Sequence, residues 1–153
     1  MTKRSIHIVL DNIRSRENVG SIFRTADAAG VKKIYLCGIT PCPPHPKIEK
    51  ASLGAETYVP WEYYKDAWRL LQHLNKEHVN IIALEQTKVS IDLFKFKPQL
   101  PIALVLGNEV RGLSPKILKY CDKKISIPMY GKKESLNVAV AAGIAIYSII
   151  STS

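Results

Sequence analysis

The segment Ile127-Pro128-Met129-Tyr-Gly131-Lys-Lys-Glu-Ser135-Leu136-Asn137-Val-Ala-Val-Ala-Ala-Gly143 decides how this chain must be organised. A strand ends at Ile127, a loop bearing Gly131 follows, and Ser135 stands where it caps a helix running to about Ile150. That helix is apolar nearly all round, through Val138, Ala139, Val140, Ala141, Ala142, Ile144, Ala145 and Ile146, so it must be buried on most faces. Its small residues allow close approach to a sheet or to another chain. Asn137 enters this dry region as a polar group and therefore needs a hydrogen-bond partner.

Upstream, Leu106-Gly107-Asn108-Glu109-Val110-Arg111-Gly112-Leu113 follows the apolar, strand-length run Ile102 to Leu106. Ligands of open α/β sheets sit beyond the carboxyl ends of strands, where this segment falls. Its two glycines permit a tight loop, and the Glu109 carboxylate can accept hydrogen bonds from amides or from a ligand amine. Nearer the N-terminus, Asn18-Val-Gly20-Ser-Ile-Phe-Arg24 opens a helix over residues 18–29. Val19, Ile22, Phe23 and Ala26 make its apolar stripe, and Gly30 stops it. Gly20 lets a ligand or a second backbone come close. Arg24, one turn on, can meet phosphate or ribose oxygens, with Asp27 spaced to orient it. A capped surface helix with a local ion pair is the plainer reading of the same residues.

Further outward, strands are expected over 6–10, 33–37, 81–84, 102–106 and 125–127, with a minor strand over 56–59. Helices are expected over 47–52, 62–77 and 115–120, the last capped by Ser114 with Pro115 at its first position. Strand and helix alternate, which implies an α/β fold with a mostly parallel sheet covered by helices on both faces. With 153 residues, no repeats and no long linker, the chain reads as a single domain over 1–153 with no separate RNA-binding domain. Trp61, Tyr64 and Trp68, at i, i+3 and i+7, read as a core stripe, or less often as a stack for bases.

The formal net charge is +9, from 22 Lys+Arg against 13 Asp+Glu, which favours a polyanionic partner such as nucleic acid. The run from Leu136 to Ile150 is shorter than the roughly 20 residues a membrane span needs, and Met1 to Arg4 lead into no secretory h-region. No membrane association is expected. The odd set Cys37, Cys42 and Cys121 makes no disulfide framework, so a cytoplasmic protein with reduced thiols is expected. Cys37, Cys42 and His45 lack a fourth partner for a four-coordinate metal. There is no G-x-G-x-x-G after the first strand and no P-loop, which argues against a nucleotide-dependent oxidoreductase.

Taken together, the three segments around Arg24, Glu109 and Asn137 resemble the SpoU (TrmH-like) branch of the SPOUT RNA methyltransferases, and the likeness covers nearly the whole chain. The resemblance implies a C-terminal trefoil knot, a homodimer with the first and last helices near its interface, and S-adenosyl-L-methionine as cofactor. It assigns the cofactor to Gly107, Ile127 and Leu136, with Leu84, Glu85, Leu106, Met129, Ser135 and Asn137 lining the same pocket. It puts the catalytic arginine at Arg24, with Asn18, Glu109, Ser135 and Asn137 around it, and lets Arg24 act on cofactor held by the other chain.

The implied reaction is methylation of a ribose 2′-hydroxyl in structured RNA, tRNA before rRNA; a binding-only adaptor of the same fold is the competing class. An unperturbed guanidinium has a pKa above about 12 and is a poor base. Arg24 is therefore expected first to grip ribose or phosphate and stabilise developing oxyanion charge, and only second to accept a proton. Larger members carry an additional RNA-binding domain. Here the catalytic domain itself is expected to hold RNA, through Arg14, Arg16, Arg24 and Arg111. Lys3, Arg4, Lys95, Lys97, Lys123, Lys124, Lys132 and Lys133 add further positive charge.

Overall fold

Every strand runs parallel to its neighbours: β1 (Arg4–Asp11), β2 (Val31–Cys37), β3 (Trp61–Tyr64), β4 (Asn80–Leu84), β5 (Ile91–Asp92), β6 (Ile102–Leu106) and β7 (Lys123–Ser126). The computed structural model describes residues 4–153. The seven strands stand in the order β3-β2-β1-β6-β4-β7-β5. A parallel sheet needs crossovers and covered faces. These come from α1 (Arg16–Ala29), α2 (Pro46–Ser52), α3 (Ala67–Lys76), α4 (Pro115–Lys119) and α5 (Val138–Thr152).

The pleat divides the core in two. Ile6, Ile8 and Leu10 of β1 face Ile22, Phe23 and Ala26 of α1 and Ala142, Ala145 and Ile146 of α5. Val9 of β1, with Tyr35 and Cys37 of β2, faces Leu70, Leu71 and Leu74 of α3 and Ile117 of α4. Register aligns Ile8 with Ile34 and Leu104, and Leu10 with Leu36 and Leu106. The strands therefore end level at one edge, around Asp11, Leu84, Leu106 and Ser126, and that edge carries the site.

Helix ends follow side-chain chemistry. The Ser15 side chain accepts from the Asn18 amide, so α1 begins two residues earlier than the apolar stripe indicates. Gly30 closes it at φ 71°, a left-handed value that suits glycine. Gly20 is buried, and a Cβ there would collide with the Ile48 carbonyl and approach Ala51 Cβ to 2.7 Å. The close neighbour that Gly20 admits is thus the backbone of α2, not a ligand.

Four expectations are corrected. Residues 61–64 form the edge strand β3 and not the start of a helix, because the aromatic run Trp61-Glu-Tyr-Tyr64 pairs with Ile34 to Cys37. Trp61 and Tyr64 therefore share no helix face with Trp68. The minor strand expected at 56–59 is replaced by a 3-10 turn over Ala55–Thr57. The last helix starts at Val138, and its cap is Asn137, whose Oδ1 accepts from the amides of Ala139 and Val140 at 2.9 and 3.2 Å. Ser135 is left in the preceding loop. Within one chain α5 is fully buried only along Ala142, Ala145, Ile146 and Ile149, while Val140 and Tyr147 are about half exposed.

Candidate active site

Beyond the carboxyl ends of β4, β6 and β7 lies a cleft of about 210 Å³. Leu84 and Glu85 reach it from the end of β4, and Leu106 and Gly107 from β6. Ile127 and Met129 reach it from the segment after β7, and Ser135 and Leu136 from the approach to α5. All the pocket residues expected from the sequence line this cleft except Asn137, which is turned into the cap of α5. Val138 and Ala141 of α5 wall one side; the expectation had taken these small residues only as packing surface.

The loop after β6 is built from its own polar side chains. Asn108 Oδ1 accepts from the amides of Val110 and Arg111, both at 2.9 Å, and its Nδ2 donates to the Asn12 carbonyl at 2.8 Å. Glu85 Oε2 accepts from the Leu113 amide at 2.7 Å. A Cβ at Gly107 would lie 2.6 Å from the Gly112 carbonyl carbon and the Leu113 nitrogen. Only glycine lets the loop fold back so tightly. The organising role of Asn108 had no signal beyond the density of polar residues in its short segment, and Glu85 is expected from the family resemblance only as a pocket-lining residue.

Three distant segments meet at Glu109. Its Oε1 accepts from the Arg14 amide at 2.9 Å. Its Oε2 accepts from the Ser15 amide at 2.9 Å and from Asn18 Nδ2 at 3.1 Å. Asn18 Oδ1 in turn accepts from Asn137 Nδ2 at 3.1 Å. Partial burial works against the charged Glu109, but the amides of Arg14, Ser15 and Glu109 itself, with Asn18, outweigh it and hold the carboxyl below its ordinary value. Glu109 also lines the cleft. It therefore joins the pocket to the N-terminus of α1.

The arginines stand apart. Arg14, Arg16, Arg24 and Arg111 are exposed and none lines the cleft. Among the described residues none of them forms an ion pair, and the spacing-based pair of Arg24 with Asp27 is not made. Lys95, Lys97, Lys123, Lys132 and Lys133 are exposed; Lys3 lies outside the described residues. The Trp68 ring is flanked by Lys116 Nζ at 4.5 Å and the Arg69 guanidinium at 5.1 Å from its centroid. The ring also packs against the core beneath α3 and lies 6.1 Å from the Tyr120 ring, which makes it a structural aromatic.

Among the described residues no group of three or more His, Cys, Asp or Glu side chains is arranged to hold a metal ion, and no helix is long and apolar enough to cross a membrane. Cys37, Cys42 and Cys121 are free thiols. Burial, then nearby Asp11 and Cys42, pushes the Cys37 thiol up to about 12, so it is inert as a nucleophile.

Residues 5–147 match the model of the SpoU rRNA Methylase family. The tRNA (guanosine(18)-2′-O)-methyltransferase of Aquifex aeolicus (strain VF5) is 33% identical over 151 residues, covering 95% of this chain and 68% of that protein. The SpoU methyltransferase AviRb from Streptomyces viridochromogenes, solved in complex with the cofactor AdoMet, superposes with a TM-score of 0.89 at 27% identity, covering 98% of this chain and 61% of that one. A protein whose structure addresses 2-OH methylation of C/U34 on tRNA superposes with a TM-score of 0.86 at 27% identity, covering 96% and 95%. The chain spans about half to two thirds of the length of the curated relatives it matches.

Proposed function

The chain belongs to the SpoU rRNA methylase family, and from that premise we propose that it is an S-adenosylmethionine-dependent RNA methyltransferase acting on a ribose 2′-hydroxyl. One observation carries the reading: the cleft at the sheet edge is tied through Glu109, Asn18 and Asn137 to the helix that bears Arg24. The residues fit the cofactor. Leu84, Leu106, Ile127 and Met129 offer apolar walls to a flat ring, and Gly107, whose missing side chain lets the loop close on Gly112 and Leu113, lines the same cleft. The carboxylates of Glu85, Glu109 and Glu134 favour a cationic ligand.

When bound, S-adenosylmethionine supplies a methyl group made electrophilic by its sulfonium. The chain's own residues do the rest. Gly107, Ile127 and Leu136 line the cleft and would offer backbone groups to the cofactor's adenine. Glu109 stays ionised and holds the Arg14–Asn18 segment. Arg24 grips ribose or phosphate and stabilises the oxyanion that develops as the hydroxyl passes its proton to water. Most of the acceleration comes from holding the 2′-oxygen in line with the methyl group.

Because Arg24 stays outside its own chain's cleft, the same proposal includes a homodimer in which Arg24 serves the partner's cleft. The half-exposed Val140 and Tyr147 of α5 support such an interface. The C-terminal trefoil knot belongs to this proposal too, supported by superposition on SpoU structures. Free thiols support a reducing, cytoplasmic setting. The preferred substrate is tRNA, supported by the tRNA-directed relative and by superposition on the chain studied for C/U34 methylation; ribosomal RNA is the alternative, supported by the family's description.

Two measurements test the reading. Titration calorimetry is expected to give one S-adenosylmethionine site per chain. Mapping of 2′-O-methyl groups in total RNA, with and without the gene, is expected to lose a tRNA site. Loss of a ribosomal site instead would move the substrate, and no lost site would leave only a binding adaptor.

A further inference from the structure

The loop between β7 and α5 contributes some side chains to the cleft and leaves others exposed. Met129, Glu134 and Ser135 line the cleft. Tyr130, between them in sequence, is not among the lining residues and is 92% exposed, the most exposed large apolar side chain among the described residues. It makes no hydrogen bond or ring contact with any described residue. Its neighbour Gly131 stands in open space, since a Cβ added there would meet nothing within 4 Å. Lys132 and Lys133 follow, both exposed and without an ion-pair partner among the described residues. Val110, which lines the same cleft, is 85% exposed.

We propose that Tyr130 is the platform on which the target nucleobase stacks while its ribose is presented to the cleft, with Lys132 and Lys133 holding the flanking phosphates. The proposal rests on the RNA methylation argued above and names the contact that positions its substrate. A lone ring beside a glycine and two lysines offers too little apolar area for a protein partner. It matches a base between phosphates: the ring face stacks, and the ammonium groups take the backbone charge. The open space at Gly131 leaves room for the base to approach the ring. Every base has a π-face, so the contact supplies affinity and position, not base identity.

The test compares Tyr130→Ala, Tyr130→Phe and a Lys132→Ala/Lys133→Ala double variant with the wild type. Substrates are total tRNA and total ribosomal RNA from cells lacking the gene. Methyl transfer is followed with labelled S-adenosylmethionine, RNA affinity by filter binding, and cofactor affinity by calorimetry. Tyr130→Ala is expected to raise KM and Kd for RNA about tenfold or more, with kcat at saturating RNA and cofactor affinity unchanged. Tyr130→Phe is expected to restore both, because stacking needs the ring and not the hydroxyl. The lysine variant is expected to flatten the salt dependence of RNA binding.

An unchanged RNA affinity in Tyr130→Ala overturns the proposal. So does failure of Tyr130→Phe to rescue, which would assign the effect to the hydroxyl, or loss of cofactor binding, which would make the ring a support for the pocket. If the wild type binds RNA but transfers no methyl group, the methyltransferase reading fails while stacking is still judged on Kd. If it binds neither RNA, both fall.

Discussion

Asn137 Nδ2 donates to Asn18 Oδ1 at 3.1 Å, joining residues 119 positions apart in the sequence. The two ends of this chain of bonds fix its direction. At one end the ionised Glu109 can only accept; at the other the amides of Ala139 and Val140 can only donate. Each asparagine must therefore present its NH₂ toward Glu109 and its oxygen toward α5. No residue that only donates or only accepts can stand at Asn18.

Asn18→Asp follows from that polarity. It sets a second carboxylate against Glu109 Oε2 and removes the only donor between them. A loss of about 2–3 kcal/mol is expected, read as a lower urea midpoint at pH 7. Asn137→Asp keeps the helix cap and loses only the donor, so it should cost about 1 kcal/mol, less than Asn137→Ala, which loses the cap as well. Equal effects for all three variants would deny the directional chain.

Glu109→Gln probes the same junction through pH. The folded carboxyl sits below its ordinary value. Its contribution is therefore fully present above the ordinary carboxylate range and is lost as pH falls through the folded value. At pH 7 the variant should be less stable by about 1–2 kcal/mol, and the gap to the wild type should close between about pH 6 and about pH 3. Urea melts across that range check it, and a gap that widened on acidification would contradict the sign.

Gly20→Ala tests the packing of α1 on α2. The added methyl meets the Ile48 carbonyl and Ala51, both on a short helix that must shift. The expected loss is about 1–3 kcal/mol, seen as a lower Tm, with the apolar side of the cofactor cleft untouched. An unchanged Tm would mean that α2 yields freely.

Arg24→Ala should lower kcat by about a hundred- to a thousandfold with cofactor affinity unchanged. Arg24→Lys should recover only part, since an ammonium lacks the guanidinium fork. Leu136→Arg, which fills the cleft, should be inactive for a different reason. A mixed dimer of Arg24→Ala with Leu136→Arg should regain activity if each arginine serves the other chain's cleft. A mixed dimer as dead as its parents would place each arginine on its own cleft.

The parts of this architecture carried by local chemistry were legible in residues alone. The apolar runs at 6–10 and 102–106 announced buried parallel strands, and Ser114 with Pro115 announced α4. Asn137 is expected to enter a dry region and so to need a partner; it pairs with Asn18 and caps α5 but is exposed in the chain, so dryness is not the cause, and Asn18 as its partner depends on tertiary geometry that no spacing encodes. Trp61 to Tyr64 was misread because aromatics at i, i+3 and i+7 imitate a helix stripe, whereas their pairing with β2 is decided by a neighbour elsewhere in the sequence. Ser135 and Asn137 are both good caps; the structure uses Asn137 for the cap and gives Ser135 to the cleft. Of the expected site, the cleft-lining residues come from the family resemblance; Leu84, Leu106 and Ile127 also stand at strand ends, whereas Met129, Ser135 and Leu136 lie in the long segment before α5. The separation of Arg24 from the cleft could not, because helix periodicity gives a face and not a destination.

The cleft draws on residues from Leu84 to Ala141, and its polar junction on residues from Arg14 to Val140. During synthesis, therefore, no partial chain owns a finished site. A nascent chain that has already paired β1 with β2 still lacks one wall of the pocket and one end of the asparagine chain. The cleft is complete only once α5 has left the ribosome and docked.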